Sequence, residues 1–177
     1  MIEVCVGDAW SYGTAAVLRP IASDGSAPTP AVRRLELAAG PQPAEQYARL
    51  GELPVGSAVI TGAGDLPVEY LIHVVVRSPE EPVTTAGVVR GLLNGLRRVE
   101  EWALESVAIM PLGTGAGNLD VERAAAIMAP VLIERAATPE GTRIVIAVES
   151  EYERDVFLRA LGIQGVPAGE EPPPMPH

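Results

Sequence analysis

The sequence contains no lysine, so every one of its 13 basic residues is an arginine. Aspartate and glutamate together number 23, which gives a formal net charge of −10 at pH 7. A surface that binds nucleic acid broadly needs many cationic side chains to neutralise phosphates. The charge balance therefore predicts no broad nucleic-acid surface. It leaves open a single small anion held by backbone N–H groups, because such groups act at short range.

Cysteine and long apolar runs are also scarce. Cys5 is the only cysteine, so no internal disulfide can form, and its apolar strand pattern predicts a small core residue. No apolar run reaches the roughly 18 residues that a membrane span requires. The first residues include an acid and no basic leader, which argues against a signal peptide. We therefore expect a cytoplasmic protein without membrane contact.

Hydrophobic residues make up 47% of the 177 residues, which is enough for one globular domain with a sizeable core. Apolar runs predict strands over residues 2–6, 15–18, 57–61, 70–76, 107–112 and 143–148. The second strand is expected to end at Arg19 and Pro20. The alternation of strands with helices predicts one α/β layer structure over residues 1–162. The Pro- and Glu-rich stretch 163–177 predicts a disordered tail.

Helices are predicted over residues 30–39, 44–50, 84–103, 121–134 and 151–161. The third is the clearest, and its expected buried face comprises Val89, Leu92, Leu93, Leu96, Val99 and Ala103. Pro130 lies within the fourth helix and should kink it or mark its last turns. Gly162 is the expected stop of the fifth.

The chain is organised around an apolar strand that runs into a glycine loop and then into a helix starting near Asp120. Gly113, Gly115 and Gly117 let the loop backbone turn several N–H groups toward one point, and Thr114 adds a hydroxyl. The helix start contributes the positive end of its dipole. These residues are consistent with a phosphate-binding loop and equally with a tight strand-to-helix turn that holds no ligand.

His73 stands within the continuous apolar run 70–76. No second histidine lies nearby to form a metal pair or a proton relay with it. We interpret it as a strand histidine satisfied by hydrogen bonds. The sequence therefore indicates no metal site, and we expect no cofactor.

Three segments together resemble the macro domain family. They are Val6-Gly-Asp-Ala9 after the first strand, residues 56–67 followed by Tyr70-Leu-Ile-His73, and residues 111–117 with the helix that follows. The resemblance implies a three-layer α/β/α sandwich around a mixed, mostly parallel six-stranded sheet. The usual ligand of the family is ADP-ribose, free or attached to protein. Some members hydrolyse that attachment or deacetylate O-acetyl-ADP-ribose.

The resemblance also implies roles for individual residues. Asp8 matches the family aspartate that accepts a hydrogen bond from the adenine amino group, a role that suits a carboxylate; without a ligand it would only cap a turn. Ala9 matches the neighbour whose N–H meets the adenine ring. The diphosphate and distal ribose would lie on the glycine loop and the residues after it, which are Gly113, Thr114, Gly115, Ala116, Gly117, Asn118 and Leu119.

The sequence departs from the family after its second strand. The family carries two asparagines around two alanines there, whereas this chain has Arg19-Pro-Ile-Ala22, and its only asparagines are Asn94 and Asn118. The family's following glycine run is replaced by a segment with Pro28 and Pro30, which have no N–H to donate to a phosphate. Arg19 either offers a guanidinium to a phosphate or is a strand-end arginine exposed to water or paired with an acid.

Three hypotheses follow. The first is a divergent binding module for ADP-ribose, a related adenine nucleotide or an ADP-ribosylated protein. The second is a hydrolase of ADP-ribosyl or O-acetyl-ADP-ribose substrates, which the missing asparagines disfavour because catalysis needs placement to within about 0.5 Å. The third is a macro fold without a ligand, kept for protein contacts or oligomerisation, which an exposed apolar patch together with a closed cleft would favour.

Overall fold

The computed structural model of the chain describes residues 1–115, 118–138 and 141–163. Among these residues are six strands: β1 (Ile2–Val6), β2 (Ala16–Ala22), β3 (Ala58–Gly62), β4 (Tyr70–Arg77), β5 (Ser106–Ile109) and β6 (Arg143–Val148). They form one sheet in the order β1-β6-β5-β2-β4-β3. All neighbouring strands are parallel except β3, which pairs antiparallel with β4 at one edge.

Helices cover both faces of the sheet. The helices are α1 (Pro30–Ala39), α2 (Gln42–Ala48), α3 (Thr85–Glu101), α4 (Val121–Ala136) and α5 (Glu151–Leu161). On one face α1 packs in a cluster with Val17 and Val145, and α2 in a cluster with Ile21 and Val75. On the other face α3, α4 and α5 pack in a larger apolar cluster that includes Leu18. The expected three-layer α/β/α sandwich with a mixed six-stranded sheet is therefore confirmed.

β2 is longer than the sequence predicts, because it continues through Arg19 and Pro20 to Ala22. The carbonyl of Leu18 accepts a hydrogen bond from Met110 N at 3.0 Å, which places the backbone groups of Leu18 on the β5 side. Backbone groups alternate between the two neighbouring strands, so Pro20 also faces the β5 side. Pairing with β5 ends at Leu18. The missing N–H of Pro20 therefore costs no ladder hydrogen bond, and the expected strand end was wrong.

The buried face of α3 is also different from the expected one. Leu93 is 50% exposed, whereas glycines face the sheet at a spacing of four residues. A Cβ on Gly91 would stand 2.5 Å from Cγ1 of Val74, and a Cβ on Gly95 would stand 2.5 Å from Cδ1 of Leu18. The helix backbone thus approaches β2 and β4 more closely than any side chain would allow. A helical hydrophobic pattern does not reveal this, because glycine carries no apolar side chain.

Pro130 lies within about the last two turns of α4, which ends at Ala136, so the second of its two expected effects is observed. Pro130 lies on the exposed side of the helix, where the backbone carbonyl one turn earlier, which has no helical N–H to accept from, can bind water. The helix starts are set by capping side chains: Thr29, Thr84, Asp120 and Ser150 each accept a hydrogen bond from the first turn. Gly162, with φ 70°, ends α5 as expected.

No helix in the described part of the chain is long and apolar enough to cross a membrane. The predicted tail, except for Ile163, lies outside the described residues.

Candidate functional site

A cleft of about 410 Å³ opens at the carboxyl ends of β5 and β6. One wall is the first turn of α1, and the opposite wall is the loop between β5 and α4. In open α/β sheets ligands bind beyond the carboxyl ends of strands, so this is the expected position for a site. The residues that line it are Thr29, Pro30, Ala31, Val32, Arg34, Met110, Pro111, Thr114, Gly115, Leu119, Val121, Ala147, Glu149 and Glu153.

The glycine loop forms a closed turn at the cleft. Leu119 N donates to the carbonyl of Gly113 at 3.0 Å, and Asn118 N donates to the carbonyl of Gly115 at 3.1 Å. Gly113 and Gly115 have φ values of 83° and 127°, which side-chain-bearing residues rarely adopt. A Cβ on Gly115 would stand 3.1 Å from the carbonyl oxygen of Pro28 in the opposite wall. Glycine is therefore required both for the turn and for the narrow approach of the two walls.

Donors from both walls lie at this narrow end of the cleft. At the start of α1, Thr29 Oγ1 accepts from Val32 N at 3.3 Å, and Pro30 has no N–H. The Ala31 N–H has no acceptor within the helix, since it belongs to the first turn. In the opposite wall Thr114 lines the cleft with its hydroxyl, whereas Nδ2 of Asn118 is buried behind the lining and has no hydrogen-bond partner among the described residues. An anion at this end would meet the Ala31 N–H, the Thr114 hydroxyl and the positive end of the α1 dipole.

The other end of the cleft carries charges. Arg34, from α1, donates Nε–H to Oδ1 of Asp8 at 3.1 Å and its NH2 group to both carboxylate oxygens of Glu149 at 2.8 and 2.9 Å. Glu149 first and then Asp8 raise the pKa of Arg34 above its usual value. Arg34 and Glu149 line the cleft, whereas Asp8 does not. Arg34 thus bridges Asp8, which follows β1, and Glu149, which follows β6.

Arg19 lies away from this cleft, beneath α1. Its side chain is 2% exposed and donates NH1 to Oε1 of Glu36 at 2.6 Å. Its Nε–H donates to Nδ1 of His73 at 2.8 Å. Burial lowers the pKa of Arg19, and the hydrogen bond to Glu36 opposes that effect. The guanidinium is therefore paired with an acid inside the protein, which leaves it outside the ligand set that we propose below.

His73 is fully buried between Arg19 and Thr61. Because Nδ1 accepts from Arg19, the proton of the neutral ring belongs on Nε2, which lies 2.7 Å from Thr61 Oγ1. The Thr61 hydroxyl donates in turn to the carbonyl of Gly62 at 2.9 Å. Desolvation first, and the charge of Arg19 second, hold the pKa of His73 well below 6.5. The geometry agrees with the interpretation of a hydrogen-bonded strand histidine.

The structure brings together part of the predicted site. Thr114, Gly115 and Leu119 line the cleft, and Gly113 and Asn118 complete the same turn. Ala9 is buried just after Asp8, in the short 3-10 turn Ala9–Ser11. Ala116 and Gly117 lie outside the described residues. The assignment of these residues to adenine and diphosphate remains a prediction.

The ion pair of the cleft was missed by the sequence analysis. Arg34 and Glu149 are separated by more than a hundred residues and belong to no motif, so their ion pair exists only in the fold. The α1 turn at Thr29 and Pro30 was treated as a loss of phosphate donors, and its helix dipole and Ala31 N–H were not considered. The sequence contained a signal for this wall, because a helix was predicted to start at residue 30, directly after the loop that follows β2, and a helix N-terminus can bind an anion.

Comparison with known proteins gives a consistent result. A family model described as Macro domain matches residues 31–128. An uncharacterized protein of Aeropyrum pernix is 31% identical over 172 residues, which cover 93% of this chain and 89% of that protein. A Pantoea vagans protein named O-acetyl-ADP-ribose deacetylase 1 is 32% identical over 118 residues, which cover 64% of this chain and 68% of that protein. The chain spans only 34% of the length of a Mycobacterium tuberculosis relative.

Solved structures share the fold. The Oceanobacillus iheyensis macrodomain with ADP superposes with a TM-score of 0.80 at 22% identity, covering 91% of this chain and 90% of that one. The same macrodomain is also described with ADPR, as a mutant at 23% identity and a TM-score of 0.79, with 91% of each chain covered. At these identities the likeness concerns the fold alone.

Proposed function

The chain belongs to the macro domain family, and we propose that its cleft binds ADP-ribose or a related adenine nucleotide. The observation that carries the proposal is the narrow end of the cleft, where the glycine loop faces the N-terminus of α1. Two walls that both present donors suit a diphosphate better than a neutral group. The Oceanobacillus iheyensis macrodomain, described with ADP and with ADPR, has the same fold.

The charges of the cleft orient the proposed ligand. Glu149 and Glu153 lie at the end away from the glycine loop, and their carboxylates would repel a phosphate. The diphosphate therefore belongs at the loop, with the base directed toward Asp8, Ala9 and the end of β6. There a carboxylate can accept a hydrogen bond from the adenine amino group. The distal ribose would contact Leu119, which supplies an apolar surface. An ADP-ribosylated protein would present the same group.

Isothermal titration calorimetry with ADP-ribose, ADP and AMP tests the proposal. We expect ADP-ribose and ADP to bind more tightly than AMP, because only they place a diphosphate between the two walls. Gly115→Ala should weaken the binding of ADP-ribose and of ADP, since the added Cβ would stand 3.1 Å from the Pro28 carbonyl oxygen and narrow the cleft. Gly51→Ala is the matched control, because Gly51 also has a positive φ of 73° but no atom within 4 Å of its added Cβ. Absence of heat with all three nucleotides would refute the proposal.

Hydrolysis of ADP-ribosyl or O-acetyl-ADP-ribose substrates is a second candidate. The name of the Pantoea vagans relative favours it. Against it, the stretch that would carry the family asparagines is residues 19–22, which is buried within β2 and has no amide side chain. Incubation with O-acetyl-ADP-ribose and with a mono-ADP-ribosylated protein separates the two candidates. Product formation that disappears in Gly115→Ala and persists in Gly51→Ala would establish an enzyme.

A fold kept only for protein contacts is the least supported candidate. That hypothesis predicted a closed cleft, whereas the cleft has a volume of about 410 Å³ and is open to solvent between its two walls. Soaking crystals with ADP-ribose would separate all three possibilities in one experiment.

A further inference from the structure

We propose that Arg34 acts as a latch over the base end of the cleft and sets its affinity for the base of the ligand. This inference rests on the proposed function, since it concerns access to Asp8 within the same cleft. In the free protein Arg34 donates to Asp8 and to Glu149, and it is Arg34, not Asp8, that lines the cleft. The guanidinium occupies Oδ1 of Asp8, so a base that enters from the cleft and takes a hydrogen bond to this oxygen must displace Arg34.

Three separate parts of the fold meet in this latch. Asp8 follows β1, Glu149 follows β6, and Arg34 projects from the second turn of α1, whose first turn forms a cleft wall. β1 and β6 are neighbouring parallel strands, so both acids emerge at the same edge of the sheet. Their spacing lets one guanidinium bridge both carboxylates. The arginine therefore competes with the donor group of a ligand for one and the same acceptor.

The latch is weak enough to open. The side chains of Arg34, Asp8 and Glu149 are 47%, 44% and 46% exposed. Exposed ion pairs contribute little, because water and salt screen them. When only a fraction of molecules has the latch open, the apparent dissociation constant rises in inverse proportion to that fraction. Two exposed pairs of this kind would weaken base binding by about three- to tenfold.

Arg34→Ala tests the latch, with adenosine and ADP-ribose as the probes. Adenosine is uncharged, so loss of a positive charge does not change its attraction to the protein. We expect Arg34→Ala to bind adenosine about three- to tenfold more tightly than the unchanged protein. Arg33→Ala is the matched control, because Arg33 is an exposed neighbour on α1 that carries the same charge. It should leave adenosine affinity unchanged.

Ionic strength provides a second measurement. Raising salt from about 50 mM to about 500 mM screens the exposed ion pairs. Adenosine should therefore bind the unchanged protein more tightly at high salt, whereas its affinity for Arg34→Ala should change less. Equal or weaker adenosine binding by Arg34→Ala, in a protein that still binds ADP-ribose, would overturn the latch alone. Failure of every variant to bind ADP-ribose would overturn the proposed function and the latch with it.

Discussion

Arg19 and His73 stand side by side on the paired strands β2 and β4, and the Nε–H of Arg19 donates to Nδ1 of His73 at 2.8 Å. A buried cation beside a histidine is tolerated because the ring stays neutral and Glu36 balances the guanidinium. The pair connects α1 to the centre of the sheet. The same helix supplies one wall of the cleft, so this buried contact helps to fix the position of that wall.

Arg19→Ala should destabilise the fold. Removal of one partner leaves Glu36 and the Nδ1 acceptor of His73 without their donor, and breaking a buried ion pair costs about 3–5 kcal/mol. Glu36 is 30% exposed and can be rehydrated, so we expect a value near the lower end, about 3 kcal/mol. Urea unfolding followed by circular dichroism measures this loss in the free energy of unfolding. Arg33→Ala, on the exposed side of α1, should change stability by less than about 0.5 kcal/mol; comparable losses in both variants would contradict the prediction.

The low pKa of His73 predicts a pH dependence of stability. The unfolded histidine has a pKa of about 6.5, whereas burial and Arg19 hold the folded value well below it. Below the unfolded pKa the unfolded chain binds a proton that the folded chain does not bind. The contribution of His73 to stability is therefore present above about pH 6.5 and is lost as the pH falls toward the folded pKa, by at most about 1.4 kcal/mol at pH 5.5.

Urea unfolding of the unchanged protein and of His73→Gln at pH 7.5, 6.5 and 5.5 isolates this contribution. The variant should be less stable at pH 7.5, because it loses a hydrogen bond in a buried network. It should also lose less of its stability between pH 7.5 and 5.5. Parallel pH profiles in the two proteins would mean that His73 does not supply the dependence.

Gly91→Ala tests the close approach of α3 to the sheet. Alanine is a better helix former than glycine by about 1 kcal/mol, so helix propensity alone would make the variant more stable. Its Cβ, however, would stand 2.5 Å from Cγ1 of Val74, which is fully buried. Overpacking of this kind costs about 1–3 kcal/mol, and we expect a net loss of about 1 kcal/mol or more. Leu93→Ala, on the exposed side of the same helix, should have little effect. A stabilised Gly91→Ala would show that the helix shifts outward freely.

Pro130→Ala should stabilise α4. Pro130 is exposed and lies within a helix that continues to Ala136, so its substitution restores a backbone N–H where the helix can use it. A proline inside a helix costs about 3 kcal/mol, and water bound to the exposed carbonyl that Pro130 leaves unpaired offsets part of that cost. We expect a gain of about 1–2 kcal/mol in the free energy of unfolding. An unchanged or lower unfolding midpoint would contradict this prediction.

The fold could be predicted well because local and global signals agree. The predicted bounds of β1, α1, β6 and α5 coincide with the observed ones, since each lies between clear caps, turns or glycines. β2 and α3 were partly wrong for physical reasons. The register of Pro20 relative to β5 depends on a neighbour distant in sequence, and the inner face of α3 is formed by glycines that carry no apolar signal.

The site could be predicted less fully. The glycine loop is local in sequence, and the structure does place Thr114, Gly115 and Leu119 along one cleft. The ion pairs of Arg34 with Asp8 and Glu149 join three distant segments, and no spacing rule links them. Arg19 had two interpretations, and only the fold distinguishes a buried pair with Glu36 from a guanidinium facing a ligand.

Strand β4 has a consequence for how the protein opens. Residues Leu71 to Val76 are all buried, with β2 on one side and β3 on the other, and the glycines of α3 rest on this strand. Exchange with solvent deuterium of those amide hydrogens that pair with the interior strand β2 should require unfolding of the whole domain. Exchange at Thr114 and Gly115, at the edge of the cleft, should report local opening instead. A bound nucleotide would then slow hydrogen exchange at Thr114 and Gly115 by closing the cleft. It would slow exchange in β4 only as far as it stabilises the whole fold.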